Sequence, residues 1–193
     1  MQEKVTILLG EMGSSKDSVA RELVNKHKYI NCVSHTTRSM RPNEIEGRDY
    51  YFIDKEQFYD MTEKELFVEF RKYFTKGLKD GVVTNDLWLY GLSKKEIDKK
   101  GRKIVIVDIQ GMLDICNYVG AENTNVIYLF CDEKVRRERA LKRGDLAEEV
   151  ERRIKSEKGF QKEALRYADI VIPTDRSMDE IMKDVIEFLD MNN

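Results

Sequence analysis

A chain of 193 residues has room for one domain with a small inserted lobe. Charged side chains make up 36% of it and apolar ones 41%, the mixture of a soluble globular enzyme with a highly charged surface. The net charge of −2 excludes a general nucleic-acid binder, which needs a concentrated basic face, and no apolar run approaches the roughly 20 residues of a membrane span.

In chain order, Lys4 to Leu9 is a β-rich apolar run that enters a strand rather than a signal peptide, followed by a glycine-containing turn and a helical pattern through Val19, Leu23 and Val24. Ile30 to Val33 is a second strand. Between about residues 34 and 92 the rhythm breaks: Tyr50 to Ile53 and Leu66 to Phe70 read as antiparallel strands flanking a helix, Asp54 to Met61. Ile104 to Ile109 and Val126 to Phe130 are continuous apolar runs of the kind buried on both faces of a parallel sheet, and Ile170 to Ile172 is a last strand ended by Pro173. Helical patterns cover Ser93 to Lys100, Met112 to Tyr118, Glu133 to Lys142, Leu146 to Tyr167 and Ser177 to Leu189, with Ser177 and Glu180 spaced as a capping box. Alternating strands and helices predict a doubly wound α/β fold: a three-layer sandwich around a parallel core sheet, with an inserted α+β lobe. Cys32, Cys116 and Cys131 lack metal-site spacing and read as buried thiols of a reducing compartment; with only His27 and His35, a transition-metal centre is not expected.

The run Gly10-Glu11-Met12-Gly13-Ser14-Ser15-Lys16-Asp17-Ser18 lies between the first strand and the first helix. There it resembles a P-loop, whose backbone N–H groups and lysine hold the phosphates of a nucleoside triphosphate. Ser15 stands where the second glycine belongs; its β-carbon predicts a loop without positive φ at that position. Asp17 stands where a magnesium-binding hydroxyl belongs. A carboxylate repels triphosphate unless Mg²⁺ lies between them, so Asp17 is expected to ligate that ion, directly or through water. Lys16-Asp17-Ser18 also resembles the Lys-Asp-Thr of phage-type nucleotide kinases; the alternative is a decayed loop that binds nothing.

Ser34 to Phe52 carries Arg38, Arg41, Glu44, a glycine turn at Gly47, and Tyr50. Guanidinium groups pair with phosphate oxygens through parallel hydrogen bonds, so this block is a second phosphate site. Its pattern, S-x-T-T-R-x-x-R-x-x-E-x-x-G-x-D-Y-x-F, closely resembles the nucleotide-binding signature of guanylate kinases. The resemblance implies that Arg38, Arg41, Tyr50 and Tyr90 hold the monophosphate, with Glu44 in the same GMP-binding set, that Ser34 touches the base, and that Glu69 reads guanine. A carboxylate can accept from both guanine N1–H and the exocyclic amine, whereas adenine offers no donor at N1. Leu92 departs from the small hydroxyl residue usual there, and the segment from 71 to 89 is longer than usual, as a longer hairpin over the base pocket would be. Asp108 corresponds to one of the family's acidic pair and is read as nucleotide- or Mg²⁺-facing, with a helix N-cap as the alternative.

Arg139-Ala140-Leu141-Lys142-Arg143-Gly144 and Glu151-Arg152-Arg153 resemble the arginine-bearing lid of nucleoside monophosphate kinases. Arg136, Arg139 and Arg143 recur at helical spacing; the bland reading is a solvated stripe paired with Glu133 and Glu138. The resemblance makes Lys16, Arg139, Arg143 and Arg153 the catalytic set, with lid arginines contributing ~10³ to 10⁵ in rate by neutralising charge. It implies a single domain, with a core of 1–33 and 93–193, a monophosphate lobe of 34–92 and a lid within about 139–155. It also implies γ-phosphoryl transfer from ATP, with Mg²⁺, to GMP or dGMP in the cytoplasm, by a monomer or homodimer without nucleic-acid or membrane partners. The rival readings are a catalytically impaired binding module and a related kinase acting on a phosphorylated sugar.

Overall fold

The computed structural model describes residues 4–41, 44–79 and 82–192. In chain order its elements are β1 (Val5–Leu9), α1 (Lys16–His27), β2 (Ile30–Asn31), β3 (His35–Thr36), β4 (Tyr51–Phe52), α2 (Lys55–Glu63), β5 (Phe67–Lys79), β6 (Val82–Ser93), α3 (Lys94–Ile97), β7 (Lys103–Ile106), α4 (Ile109–Val119), β8 (Thr124–Phe130), α5 (Glu133–Lys142), α6 (Ala147–Ser156), α7 (Phe160–Ala164), β9 (Ile170–Pro173) and α8 (Met178–Asn192). They fall into two compact units, Asn31–Lys100 and Met1–Ile30 with Gly101–Asn193.

The larger unit is built on a five-stranded sheet ordered β2-β7-β1-β8-β9, in which β7, β1, β8 and β9 pair in parallel. All five residues of β1 are buried. Leu8, Ile104, Ile127, Leu129 and Ile172 pack with Val19 and Leu23 of α1 and with Ile181, Val185 and Leu189 of α8. Alternation puts Ile7, Leu9 and Tyr128 on the opposite face, where they are equally buried. Burial on both faces is why these strands read as unbroken apolar runs. The capping box of α8 forms: Ser177 N–H donates to Glu180 at 3.0 Å, and Glu180 N–H donates to the Ser177 hydroxyl at 3.4 Å.

Three sequence expectations are corrected in this unit. Val107 to Ile109 do not extend the third core strand, because the Asp108 carboxylate accepts from Gly111 N–H at 2.7 Å and starts α4. The helical pattern from 146 to 167 is two helices, α6 and α7, separated at Gly159, whose φ of 91° lies in the left-handed region. Cys131 is a buried free thiol, as is Cys32 of the smaller unit, but Cys116 is only half-buried.

The smaller unit holds a four-stranded sheet ordered β4-β3-β6-β5, with β4 parallel to β3 and the others antiparallel. Tyr50–Ile53 and Leu66–Phe70 therefore supply its two edges rather than neighbouring strands, with β3 and β6 between them. Phe58 of α2, Phe67 and Leu89 form its core, the two phenylalanine rings stacked at 4.6 Å. The longer hairpin pairs β5 with β6 out to Lys79 and Val82; Asp80 and Gly81 lie outside the described residues.

Candidate active site

The phosphate loop lies between β1 and α1, where a strand buried on both faces delivers the chain to a helix N-terminus. Gly13 has φ 80°, and a β-carbon there would come within 2.9 Å of the Arg136 carbonyl, so α5 approaches this part of the loop at backbone distance. Ser15 overturns its expectation: its φ is 68° and ψ 15°, the left-handed conformation a glycine would adopt without strain. A partner helps to hold it, since Arg139 Nη1 donates to Ser15 Oγ at 3.1 Å and to Gly13 O at 3.3 Å. Lys16 Nζ donates to Gly10 O at 2.7 Å and Glu11 O at 2.8 Å. Burial lowers its pKa; Asp17, Glu157 and Glu11 favour the charged form. Asp17 is exposed in the first turn of α1, with Ser18 beside it half-buried, and Asp17's charge reaches Arg143.

Of the arginines that the resemblance assigns to a lid, Arg139 is brought onto the loop and also donates to Thr174 O at 2.6 Å. Arg143 pairs with Asp145, a hydrogen bond that raises its pKa. Arg153 and Arg152 share Glu149, at 3.1 and 2.7 Å. Arg136, on the same helical face, is not part of a solvated stripe: it is 6% exposed and pairs with Glu157 at 2.9 Å. The solvated pair on α5 is Arg137 with Glu133.

In the smaller unit, Arg38 is 5% exposed and grips Glu44 through two hydrogen bonds, 2.9 and 2.7 Å. Its Nε donates to the Tyr90 hydroxyl at 3.2 Å, and its guanidinium lies 5.4 Å from the Tyr50 ring centre. Burial opposes Arg38's charge, but the bonds to Glu44 and Tyr90 outweigh it and raise its pKa. The Arg38 bond is the main reason that Glu44's pKa is lowered. Glu44 also accepts from Arg41 N–H at 2.8 Å, while the exposed Arg41 side chain makes no hydrogen bond or ion pair among the described residues. Tyr50 and Tyr90 pack edge to face at 5.8 Å. Ser34 O accepts from Tyr51 N–H at 2.9 Å, placing Ser34 beside this cluster.

Glu69, which alone would read as solvent-facing, is 7% exposed; it follows a register shift after Phe67 and lies 3.8 Å from Arg71. Leu92, across from it in register, is fully buried. Arg38, Glu44, Tyr50 and Tyr90 thus form one cluster. Asp108 stands apart from them in chain organisation: it belongs to the larger unit, where it caps α4.

Sequence reasoning missed the charges under the phosphate loop. Tyr128 donates its hydroxyl to Glu11 at 2.9 Å, and Met12 N–H donates to Glu157 at 2.8 Å. It also missed Glu96, 2% exposed, which accepts from Val33 N–H at 2.8 Å and pairs with Lys99 at 2.6 Å. Apart from the Glu96–Lys99 pair, three residues apart, these contacts are long-range, up to 145 residues apart in sequence, so no local spacing betrays them. Gly159, which ends the helical run beyond Glu157, is the one local signal.

A family model described as guanylate kinase matches residues 2–192. The chain is similar to a guanylate kinase of Prochlorococcus marinus, 27% identical over 193 residues and 97% of each chain. It is also similar to one of Mycoplasma mobile, 31% identical over 80% of this chain and 77% of that protein. With a guanylate kinase of Buchnera aphidicola the identity is 36% over 58% of this chain, and the chain spans about half, 51%, of that relative's length. The crystal structure of a guanylate kinase from Anaplasma phagocytophilum shares the fold, with a TM-score of 0.67 over 99% of this chain and 88% of that one, at 22% identity.

Proposed function

This chain belongs to the guanylate kinase family, and from that premise we propose that it transfers the γ-phosphoryl group of ATP to GMP or dGMP, giving ADP and GDP or dGDP. The observation that carries the proposal is Lys16, a lysine kept at the strand-to-helix turn with its ammonium inside the loop. On this reading residues 10–18 hold the ATP phosphates, Ser18 among them. Lys16, Arg139, Arg143 and Arg153 neutralise charge as it shifts from donor to acceptor. Arg38, Arg41, Glu44, Tyr50 and Tyr90 hold the monophosphate, and Ser34 and Glu69 the base, with Asp108 as a further nucleotide-facing carboxylate.

Positioning and charge compensation carry most of phosphoryl transfer, so no covalent protein intermediate is required. The residues fit Mg²⁺: Asp17 is a hard oxygen donor exposed beside the loop, and this ion is usually held by one or two carboxylates plus substrate phosphates. Asp17 would hold the ion, which would supply positive charge to offset that of the triphosphate. Residues 139–155 serve as the lid and 34–92 as a monophosphate lobe inserted in a core of 1–33 and 93–193. No helix among the described residues is long and apolar enough to cross a membrane. A cytoplasmic monomer or homodimer fits this reading.

A coupled assay for ADP release across a panel of monophosphates tests it. Turnover is expected with GMP or dGMP alone, and to be abolished by Lys16→Ala and by Arg41→Ala. Equal turnover with AMP or UMP would refute the guanine assignment, and GMP binding without turnover would refute transfer.

A further inference from the structure

We infer that Glu157 is a positioning residue for the phosphate loop, acting with Arg136 and Glu11 to hold the backbone on which ATP would rest. The inference depends on the loop being the ATP site. Glu157 Oε1 accepts from Met12 N–H at 2.8 Å, and its Oε2 accepts from Arg136 Nη1 at 2.9 Å. Arg136 Nη1 also donates to Met12 O at 3.4 Å, so residue 12 is held at both its N–H and its carbonyl. Arg136 Nη2 lies 3.9 Å from Glu11 Oε1, and the Tyr128 hydroxyl donates to Glu11 Oε2. Glu11 and Arg136 are each 6% exposed, and charges this deep persist only when paired and hydrogen-bonded.

None of these three side chains has to touch a nucleotide. Their effect passes through the loop: Met12 is fixed by them, and Gly13 is pressed against the Arg136 backbone. Glu157 also ends α6, the helix that carries Arg152 and Arg153, so one side chain ties that helix to the loop. Removing it would free the Met12 amide and leave Arg136 short of a counter-ion in a buried place.

The test compares the full chain with Glu157→Gln, Glu157→Ala and the double variant Arg136→Met/Glu157→Met. Glutamine keeps an acceptor for Met12 but not the charge; the double change removes both partners of the ion pair together. Calorimetric Kd for Mg·ATP and for GMP would be measured, with KM and kcat. In Glu157→Ala the Kd and KM for ATP are expected to rise at least tenfold while the Kd for GMP stays within twofold, with Glu157→Gln between. A merely structural role would weaken both nucleotides together. Should the alanine variant fail to fold, the double variant decides, and tight ATP binding by it would overturn the inference. Wild-type protein that bound no ATP would refute the loop as an ATP site. Equal ATP binding by wild type and Glu157→Ala would refute only the role of Glu157.

Discussion

Ser15 holds a backbone conformation that costs an L-residue about 1–2 kcal/mol, and its hydroxyl recovers part of that through the bond from Arg139. Ser15→Gly removes the strain and the bond together. It is therefore expected to be neutral to about 1 kcal/mol stabilising, read as the urea midpoint at unchanged slope. Loss of more than about 1 kcal/mol would show that the Arg139 contact outweighs the backbone term. Two groups of the smaller unit set its acid response. Burial lowers the pKa of His35, which packs at 4.8 Å from Tyr51 and 5.6 Å from Phe67. The folded state thus binds this proton less readily than the unfolded one, and stability falls as pH drops through the unfolded value of 6.5. Glu44's lowered pKa acts in the same sense further down: its contribution is present above 4.5 and lost as pH falls through the folded value. Unfolding free energies measured between pH 7.5 and pH 4 are expected to show the first decline in wild type and not in His35→Phe. An identical profile in the variant would assign the decline elsewhere.

At the scale of elements, what could be read from the sequence was set by burial and caps. The core strands were legible because both faces are covered, and the start of α8 because Ser177 and Glu180 meet in a local box. Ser177→Ala is expected to cost about 1 kcal/mol in thermal or urea unfolding, and a change under about 0.3 kcal/mol would mean that tertiary packing alone holds that end. The α6–α7 break carried one local signal, Gly159, but the apolar spacing of Val150 and Ile154 runs smoothly toward it and hides the end of α6 at Ser156. The order of the smaller sheet was not legible: β3 is two residues long, too short for any alternation to be seen. Of the candidate site, the clustering of Arg38, Glu44 and Tyr50 was legible, because these residues share a contiguous signature. Clustering was illegible under the phosphate loop, where Glu11, Tyr128, Arg136 and Glu157 come from four separate segments.

Across the whole molecule, resistance to local opening should follow the layering. β1 lies between β7 and β8 with every residue buried, whereas β6 meets β3 only at Tyr90 and Gly91. From Phe74 and Leu87 outward, β5 and β6 pair only with each other, and a two-stranded ribbon is marginal on its own. Native-state hydrogen exchange is expected to be roughly a hundredfold faster in the outer rungs of that ribbon than in β1, a gap of about 3 kcal/mol in local stability. Uniform protection across both would show that something further supports the ribbon.

The ammonium of Lys16 already rests on two carbonyl oxygens of its own loop. On the proposed reading its third N–H is left for a phosphate oxygen, so the lysine would meet its anion without releasing the loop. On that reading one side chain both fastens the curl of the loop and faces the anion, so a shorter residue there would forfeit both.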